Sequence, residues 1–270
     1  MPKSAKNTRR AKKRGAIDIL VERYLERIGF EGAPKPDLTT LAGLQYRHFL
    51  SVPYENLDIL RNIPISLDPD DLYDKIVKRK RGGYCFELNA LFEGLLGEIG
   101  FKTVSYFARF LLDEQKIPMR RHRVIRVELA DGFYLADVGV GSITPEYPLK
   151  ITEGEQTEIR GLGYMFSKDD FLGWVLNVKV GGEWKRLYSF SQEPQREIDF
   201  AQPNFYCQYS PDSVFNKKNM AAIRTKTGKY SLDGNIFKAV DWKTGTIKAN
   251  ECKDAEIPGI LKYYFGLEGI

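Results

Sequence analysis

The residue best placed to act as a nucleophile is Cys85, in the string Arg81-Gly82-Gly83-Tyr84-Cys85-Phe86-Glu87-Leu88-Asn89. The glycine pair permits a sharp turn, and an amphipathic helix begins directly after it. A thiol at a helix N-terminus meets unpaired backbone N–H groups and the positive end of the helix dipole. Both favour thiolate, so the Cys85 pKa is expected to fall and its nucleophilicity at neutral pH to rise. The same N–H groups can hold an oxyanion. The plainer alternative is a small buried residue in a helix cap.

A thiol nucleophile needs a base, and histidine suits neutral pH. The chain has two, His48 and His122. His48 lies in a helical pattern between Leu44 and Leu50, which suits a core or surface role. His122 opens a strand downstream of Cys85. A third group should orient the imidazole. Asp137, in Leu135-Ala136-Asp137-Val138-Gly139, is an acid among apolar neighbours in a strand, where burial without a partner is costly. A two-residue turn at Asp131-Gly132 would pair Ala130 with Phe133 and put His122 and Asp137 on one face. That register sets Arg126 opposite Asp137 and leaves His122 four residues along, roughly 13 Å away at strand rise. A bulge, a strong twist or a different pairing must close the gap.

The elements that carry these residues change character along the chain. Ile17, Leu20, Val21, Tyr24, Leu25 and Ile28 form one apolar stripe ending at Gly29. Thr39 or Thr40 is expected to cap a second helix with Leu41, Leu44 and His48. Asp68-Pro69-Asp70 starts a third, with Leu72, Ile76 and Val77. A fourth carries Leu88, Leu91, Phe92, Leu95, Leu96 and Ile99 and stops at Gly100. From about Thr103 the period becomes two. Strands are expected over 104–112, 123–130 and 133–140, then as a hairpin over 174–180 and 183–190 around Gly181-Gly182. Residues 194–203 read as a crossover into a mixed end, with strands over 221–225, 230–232 and 236–239 and a helix over 258–265. Helices, then antiparallel strands, then a mixed end give the class α+β.

Composition bounds the function. At 43% hydrophobic and 29% charged, the 270-residue chain is an ordinary globular mixture with material for a sizeable core. No apolar run approaches the roughly 18 residues that cross a membrane. The net charge of +5 belongs to residues 1–15, a basic tail with seven cations and no acid. The other 255 residues carry 34 positives against 36 negatives, which argues against a nucleic-acid-binding body. The tail itself reads as a solvated, disordered extension, with contact to nucleic acid as a secondary possibility. No apolar h-region follows it. Three cysteines, Cys85, Cys207 and Cys252, with no pairing pattern, point to free thiols in a reducing, cytoplasmic setting. No Cys-x-x-Cys occurs and no metal site is expected.

Several ordered motifs then carry a resemblance. The string Arg81-Gly82-Gly83-x-Cys85-x-Glu87-x-Asn89, then His122, then Asp137-Val138-Gly139-x-Gly141, resembles the arylamine N-acetyltransferases. So does the upstream string from His48 through Val52-Pro53-Tyr54-Glu55-Asn56-Leu57. Residues 184–190 and the segment from Asn204 to Phe215 look like family segments too, so the likeness runs over about 16–270. It implies a helical domain over 16–101 carrying the nucleophile, an antiparallel β-barrel over 102–193 and an α/β lid over 194–270. The papain-like Cys-His-Asp triad carries over onto Cys85, His122 and Asp137. Acetyl-CoA is the implied cosubstrate, with no permanently bound cofactor, and the acceptor is an arylamine, arylhydrazine or N-hydroxyarylamine.

The resemblance also implies a structural ion pair between Glu55 and Arg81. Gly139, Gly141 and Ser142 are expected to let backbone N–H groups approach the phosphates of CoA. Tyr54 and Val140 are expected at the acceptor pocket. Both depart from the family pattern: the family usually has phenylalanine in the position of Tyr54 and an aromatic in that of Val140. Papain-like and transglutaminase-like enzymes order the same triad, so amide hydrolysis or amide synthesis is the alternative chemistry; the Pro-Tyr-Glu-Asn and Asp-Val-Gly-x-Gly motifs favour acetyl transfer.

Overall fold

The structure, a computed structural model, describes residues 20–141 and 143–269. The basic tail and the start of the first apolar stripe lie outside these residues. Helix α1 is described over 20–28 and buries Tyr24, Leu25 and Ile28, with Gly29 at φ +65° ending it. Helix α2 (Leu38–Ser51) is capped by Asp37, whose carboxylate accepts from the Thr40 N–H at 2.8 Å. The expected threonine cap is therefore corrected: Asp37 precedes both threonines, and an Asx cap reaches three residues forward. His48 is fully buried, with Nδ1 2.9 Å from the Tyr24 hydroxyl and its ring beside Phe92. It is a core histidine, one of the two roles its pattern allowed.

Strand β1 (Tyr54–Glu55) and helix α3 (Leu57–Leu60) follow. Helix α4 (Pro69–Tyr73) is capped by Asp68 and continues as a π-helical turn, Asp74–Lys78. Helix α5 (Cys85–Ile99) starts at the thiol itself and ends at Gly100, φ +104°. Its apolar stripe packs with α1 and α2 against one face of the barrel.

The barrel strands are β2 (Lys102–Phe110), β3 (His122–Leu129), β4 (Gly132–Ala136), β5 (Leu149–Lys150), β6 (Gln156–Ile159), β7 (Leu162–Asp169), β8 (Gly173–Val180) and β9 (Glu183–Phe190). They pair antiparallel in the order β5-β4-β3-β2-β9-β8-β7-β6 and form a nearly closed barrel. Burial alternates as period two requires. Val124 and Leu135 point into the barrel core with Tyr164, Phe166 and Tyr188, while Ile125, Val127, Tyr134 and Ala136 face the helices. The short strands β5 and β6 and the whole of β7 were not anticipated.

The β3–β4 hairpin differs from its expected register. Leu129 pairs with Gly132, so Ala130 and Asp131 form the turn instead of Asp131 and Gly132. Gly132, at φ +138°, takes the backbone angle that only glycine adopts easily, but as the first residue of the strand.

After β9, residues 197–200 form a short 3-10 turn that leads into α6 (Ala201–Tyr209), a helix where only a crossover was expected. Pro203 stands in its first turn, where a missing N–H costs nothing. Strands β10 (Met220–Arg224), β11 (Gly228–Asp233), β12 (Ile236–Asp241) and β13 (Ile247–Glu251) build a second sheet under helix α7 (Ile257–Phe265). That sheet takes its first strand from the helical third: β1 pairs with β10, Tyr54 opposite Ala222.

Candidate active site

The turn before Cys85 is set by contact more than by backbone angle. Neither Gly82 nor Gly83 has positive φ. A Cβ on Gly82 would stand 2.0 Å from the Pro53 carbonyl oxygen, and the Glu55 N–H donates to the Gly83 carbonyl at 2.8 Å. Glycine thus lets the nucleophile loop lie directly on β1. The first turn of α5 is closed by Glu87, whose carboxylate accepts the Tyr84 N–H at 3.1 Å.

Cys85 is 2% exposed, and its thiol donates to the Arg121 carbonyl at 3.6 Å. Burial pushes the thiol well above its ordinary pKa, and Cys207 and Asp137 add to the rise. The N–H groups of Arg123 and Phe86 act in the opposite sense. The N–H groups act in the sense expected of a helix terminus, and the loss of water opposes them. His122, which lines the same cavity as Cys85, is placed to act as its base.

His122 Nε2 lies 2.8 Å from Asp137 Oδ2, both groups buried. The observed register explains how they meet. Moving the turn back by one residue shifts the pairing by two, so parity and the shared face are kept. Extended past Ala136, the ladder sets Asp137 opposite Val124, two residues from His122, or roughly 7 Å along the strand. Side chains span that distance. Asp137 is also held by Asn89, whose amide donates to Oδ1 at 2.8 Å, and by the Gly139 N–H at 2.8 Å. Burial raises the Asp137 pKa, but His122, Asn89 and Gly139 outweigh it and hold the carboxyl below its usual range.

Asn89 does more than hold the acid. Its amide also donates to the Arg123 carbonyl at 2.6 Å, and its carbonyl accepts from the Val138 N–H at 2.9 Å. It stands four residues after Cys85, on the same helix face. One helix therefore carries the thiol and fixes the strand that carries the imidazole. A Cβ on Gly139 would come within 2.6 Å of the Asn89 amide nitrogen and 2.8 Å of the Cys85 Cα, so this glycine is required by close approach.

Beneath the loop runs a buried charge network. Arg81 pairs with Glu55 and with Asp58, each at 2.8 Å. Lys75 pairs with Asp58 and with Glu87, also at 2.8 Å. The expected Glu55–Arg81 pair is present, and it extends through Asp58 and Lys75 to the acid that closes the first turn of α5.

A cavity of about 420 Å³ opens over the thiol. Cys85, His122, Tyr54, Gly139, Val140 and Gly141 all line it. Asp137 stands behind His122 and does not reach the cavity wall. Ser142 lies outside the described residues. The lining also includes Phe215, the last residue of the Asn204–Phe215 segment, and Arg121, Lys229, Ser231 and Asp233, which motif reading did not single out. Lys229, Ser231 and Asp233 alternate along β11, a period-two signal that sequence alone could have offered. Among the described residues, no cluster of three or more potential metal ligands occurs, and no helix is long and apolar enough to cross a membrane.

Comparison with known proteins matches this arrangement. A family model described as N-acetyltransferase covers residues 37–268. An arylamine N-acetyltransferase from Mycolicibacterium smegmatis is 37% identical over 78% of this chain and 78% of its own. One from Escherichia coli is 34% identical over 92% of this chain and 89% of its own. Among solved structures, the arylamine N-acetyltransferase of Salmonella typhimurium superposes with a TM-score of 0.87 at 29% identity, covering 92% of this chain and 91% of that one. The Mycobacterium marinum enzyme in complex with CoA gives 0.84 at 31% identity over 91% and 92%. With this fold, these motifs and relatives of this identity over nearly its whole length, the chain belongs to the arylamine N-acetyltransferase family.

Proposed function

We propose that this protein moves an acetyl group from acetyl-CoA to an arylamine or arylhydrazine through an acetyl thioester on Cys85. The observation that carries the reading is a buried thiol sharing one cavity with an imidazole that is backed by a carboxylate. Relatives with this fold are acetyltransferases, one of them solved with CoA, which favours acetyl transfer over amide hydrolysis.

In this reading His122 uses its two nitrogens differently. Nε2–H donates to Asp137, which leaves Nδ1 to accept the Cys85 proton. The thiolate attacks the thioester carbonyl, and the N–H groups of Phe86 and Arg123 that face the sulfur steady the oxyanion. The intermediate collapses, and CoA leaves with the proton from His122. The amine then attacks acetyl-Cys85, His122 takes the amine proton and returns it to the departing cysteine, and the acetylated amine is released. This is ping-pong acyl transfer.

Gly139 and Gly141 serve the CoA side of the cavity, and Tyr54 and Val140 the amine side. Glu55 and Arg81 support the loop. Segments 16–101, 102–193 and 194–270 act as nucleophile-bearing, base-bearing and lid units. Three free, buried cysteines support a reducing cytoplasmic setting. The test is intact-protein mass spectrometry after incubation with acetyl-CoA and no amine, with peptide mapping. One acetyl group on Cys85, discharged by an aromatic amine, is the expected result; an unmodified but alkylatable Cys85 overturns the reading.

A further inference from the structure

We propose that Lys229 forms an anion-binding subsite on the lid wall of the Cys85 cavity, taking a carboxylate on the amine acceptor or a phosphate of the acyl donor. The inference rests on reading that cavity as the site of acyl transfer. Cys85 and His122 line one side, and Lys229 lines it from β11. The other charged groups of the lining already have partners. Asp233 pairs with Lys218 at 2.8 Å, and Arg121 with Glu114 at 3.3 Å. The Lys229 ammonium has no carboxylate and no hydrogen-bond partner among the described residues, its backbone alone being paired, in the sheet.

Its electrostatic neighbours are cations. Arg224 is its direct partner across the β10–β11 ladder, and Lys238 lies on the next strand. Glu146 already offsets Arg224, its carboxylate lying 3.9 Å from the guanidinium, whereas no carboxylate is paired with the Lys229 ammonium among the described residues. Burial and both neighbours act against the ammonium form. A lysine half-buried beside two cations and open to a cavity is therefore a site where an entering anion gains most. Ser231, two residues along the same face, adds a hydroxyl to the wall.

The test replaces Lys229 with Met, which keeps the length of the side chain, and with Arg, which keeps the charge. Acceptors are compared as para-aminobenzoate against aniline, and donors as acetyl-CoA against p-nitrophenyl acetate. Lys229→Met is expected to lose about tenfold more kcat/KM for the anionic member of one pair than for its neutral member, and Lys229→Arg to keep most of that difference. Selective loss in the acceptor pair assigns the subsite to a carboxylate; selective loss in the donor pair assigns it to phosphate. Equal loss within both pairs overturns the proposal while leaving the acyl-transfer reading standing. In the unmodified protein, protection of Cys85 from iodoacetamide is compared for CoA against pantetheine and for benzoate against benzamide. An advantage of the anion in either comparison supports the subsite even if no acetyl-Cys85 forms; equal protection in both overturns it.

Discussion

Asn89 donates to Asp137 Oδ1 at 2.8 Å from a point one helical turn beyond Cys85, so the helix that presents the nucleophile also fixes the acid behind the base. Replacing it with alanine leaves the Val138 N–H and the Arg123 carbonyl unpaired inside the protein. We expect Asn89→Ala to slow acylation about tenfold or more and to destabilise the fold by about 1–3 kcal/mol. Single-turnover acylation and thermal melting check both, and unchanged acylation with lowered Tm would confine Asn89 to a structural role.

Cys85→Ser should stop acetyl transfer while leaving the circular dichroism spectrum and melting transition close to those of the parent. Asp137→Asn should keep the shape of the site but disturb the imidazole tautomer, lowering kcat by about a hundredfold or more. Substantial turnover in the first variant removes Cys85 as nucleophile, and full activity in the second removes the orienting role of Asp137.

Val140 lines the cavity beside Gly139 and Gly141. Val140→Phe should change the ranking of aromatic amines more than the rate of acylation by acetyl-CoA. Equal effects on the two half-reactions would count against an acceptor-side position.

Burial, with Arg27 adding, lowers the His48 pKa to about 3. An unfolded histidine titrates near 6.5, so between about pH 6.5 and pH 3 the unfolded chain binds a proton that the folded chain does not. Stability therefore falls as pH falls through that window. From pH 7 to pH 5 the loss from this residue is about 2 kcal/mol. Urea denaturation at the two pH values should show that difference between the parent and His48→Gln; parallel losses in both proteins would exclude His48 as the source.

Lys75 holds Asp58 and Glu87 together below the nucleophile loop. Lys75→Met leaves two buried carboxylates short of a cation and should cost about 3–5 kcal/mol. Because Glu87 also accepts the Tyr84 N–H, alkylation of Cys85 should speed up as the first turn of α5 loosens. A Tm within a degree or two of the parent would show that the network is not strained by the loss.

The parts legible in the sequence were those with one dominant cause. The stripe of α5, the Gly181-Gly182 hairpin and the pairing of a lone acid with a strand histidine each follow from period or residue type. The β6–β7 hairpin was missed although Tyr164 and Phe166 alternate with half-buried residues, because no Asn-Gly or Asp-Gly turn announces it; Arg160-Gly161 does the turning, both at positive φ. The register of β3 and β4 was set two residues off because Asp131-Gly132 reads as the turn when Gly132 is already in the strand. Asn89 stood in the motif string, but its role depends on a strand distant in sequence, which no local pattern encodes.

The short strand Tyr54–Glu55 has a consequence for synthesis on the ribosome. Its partner, β10, is made long after it, and the cavity wall that includes Ala222 and Lys229 hangs on that pairing. A chain halted before Met220 presents Cys85 on a finished helix but with one side of its cavity missing. The nascent protein therefore carries the thiol without this wall through about half of its translation, and the enclosure of the nucleophile is completed only when the final fifth of the chain has been made.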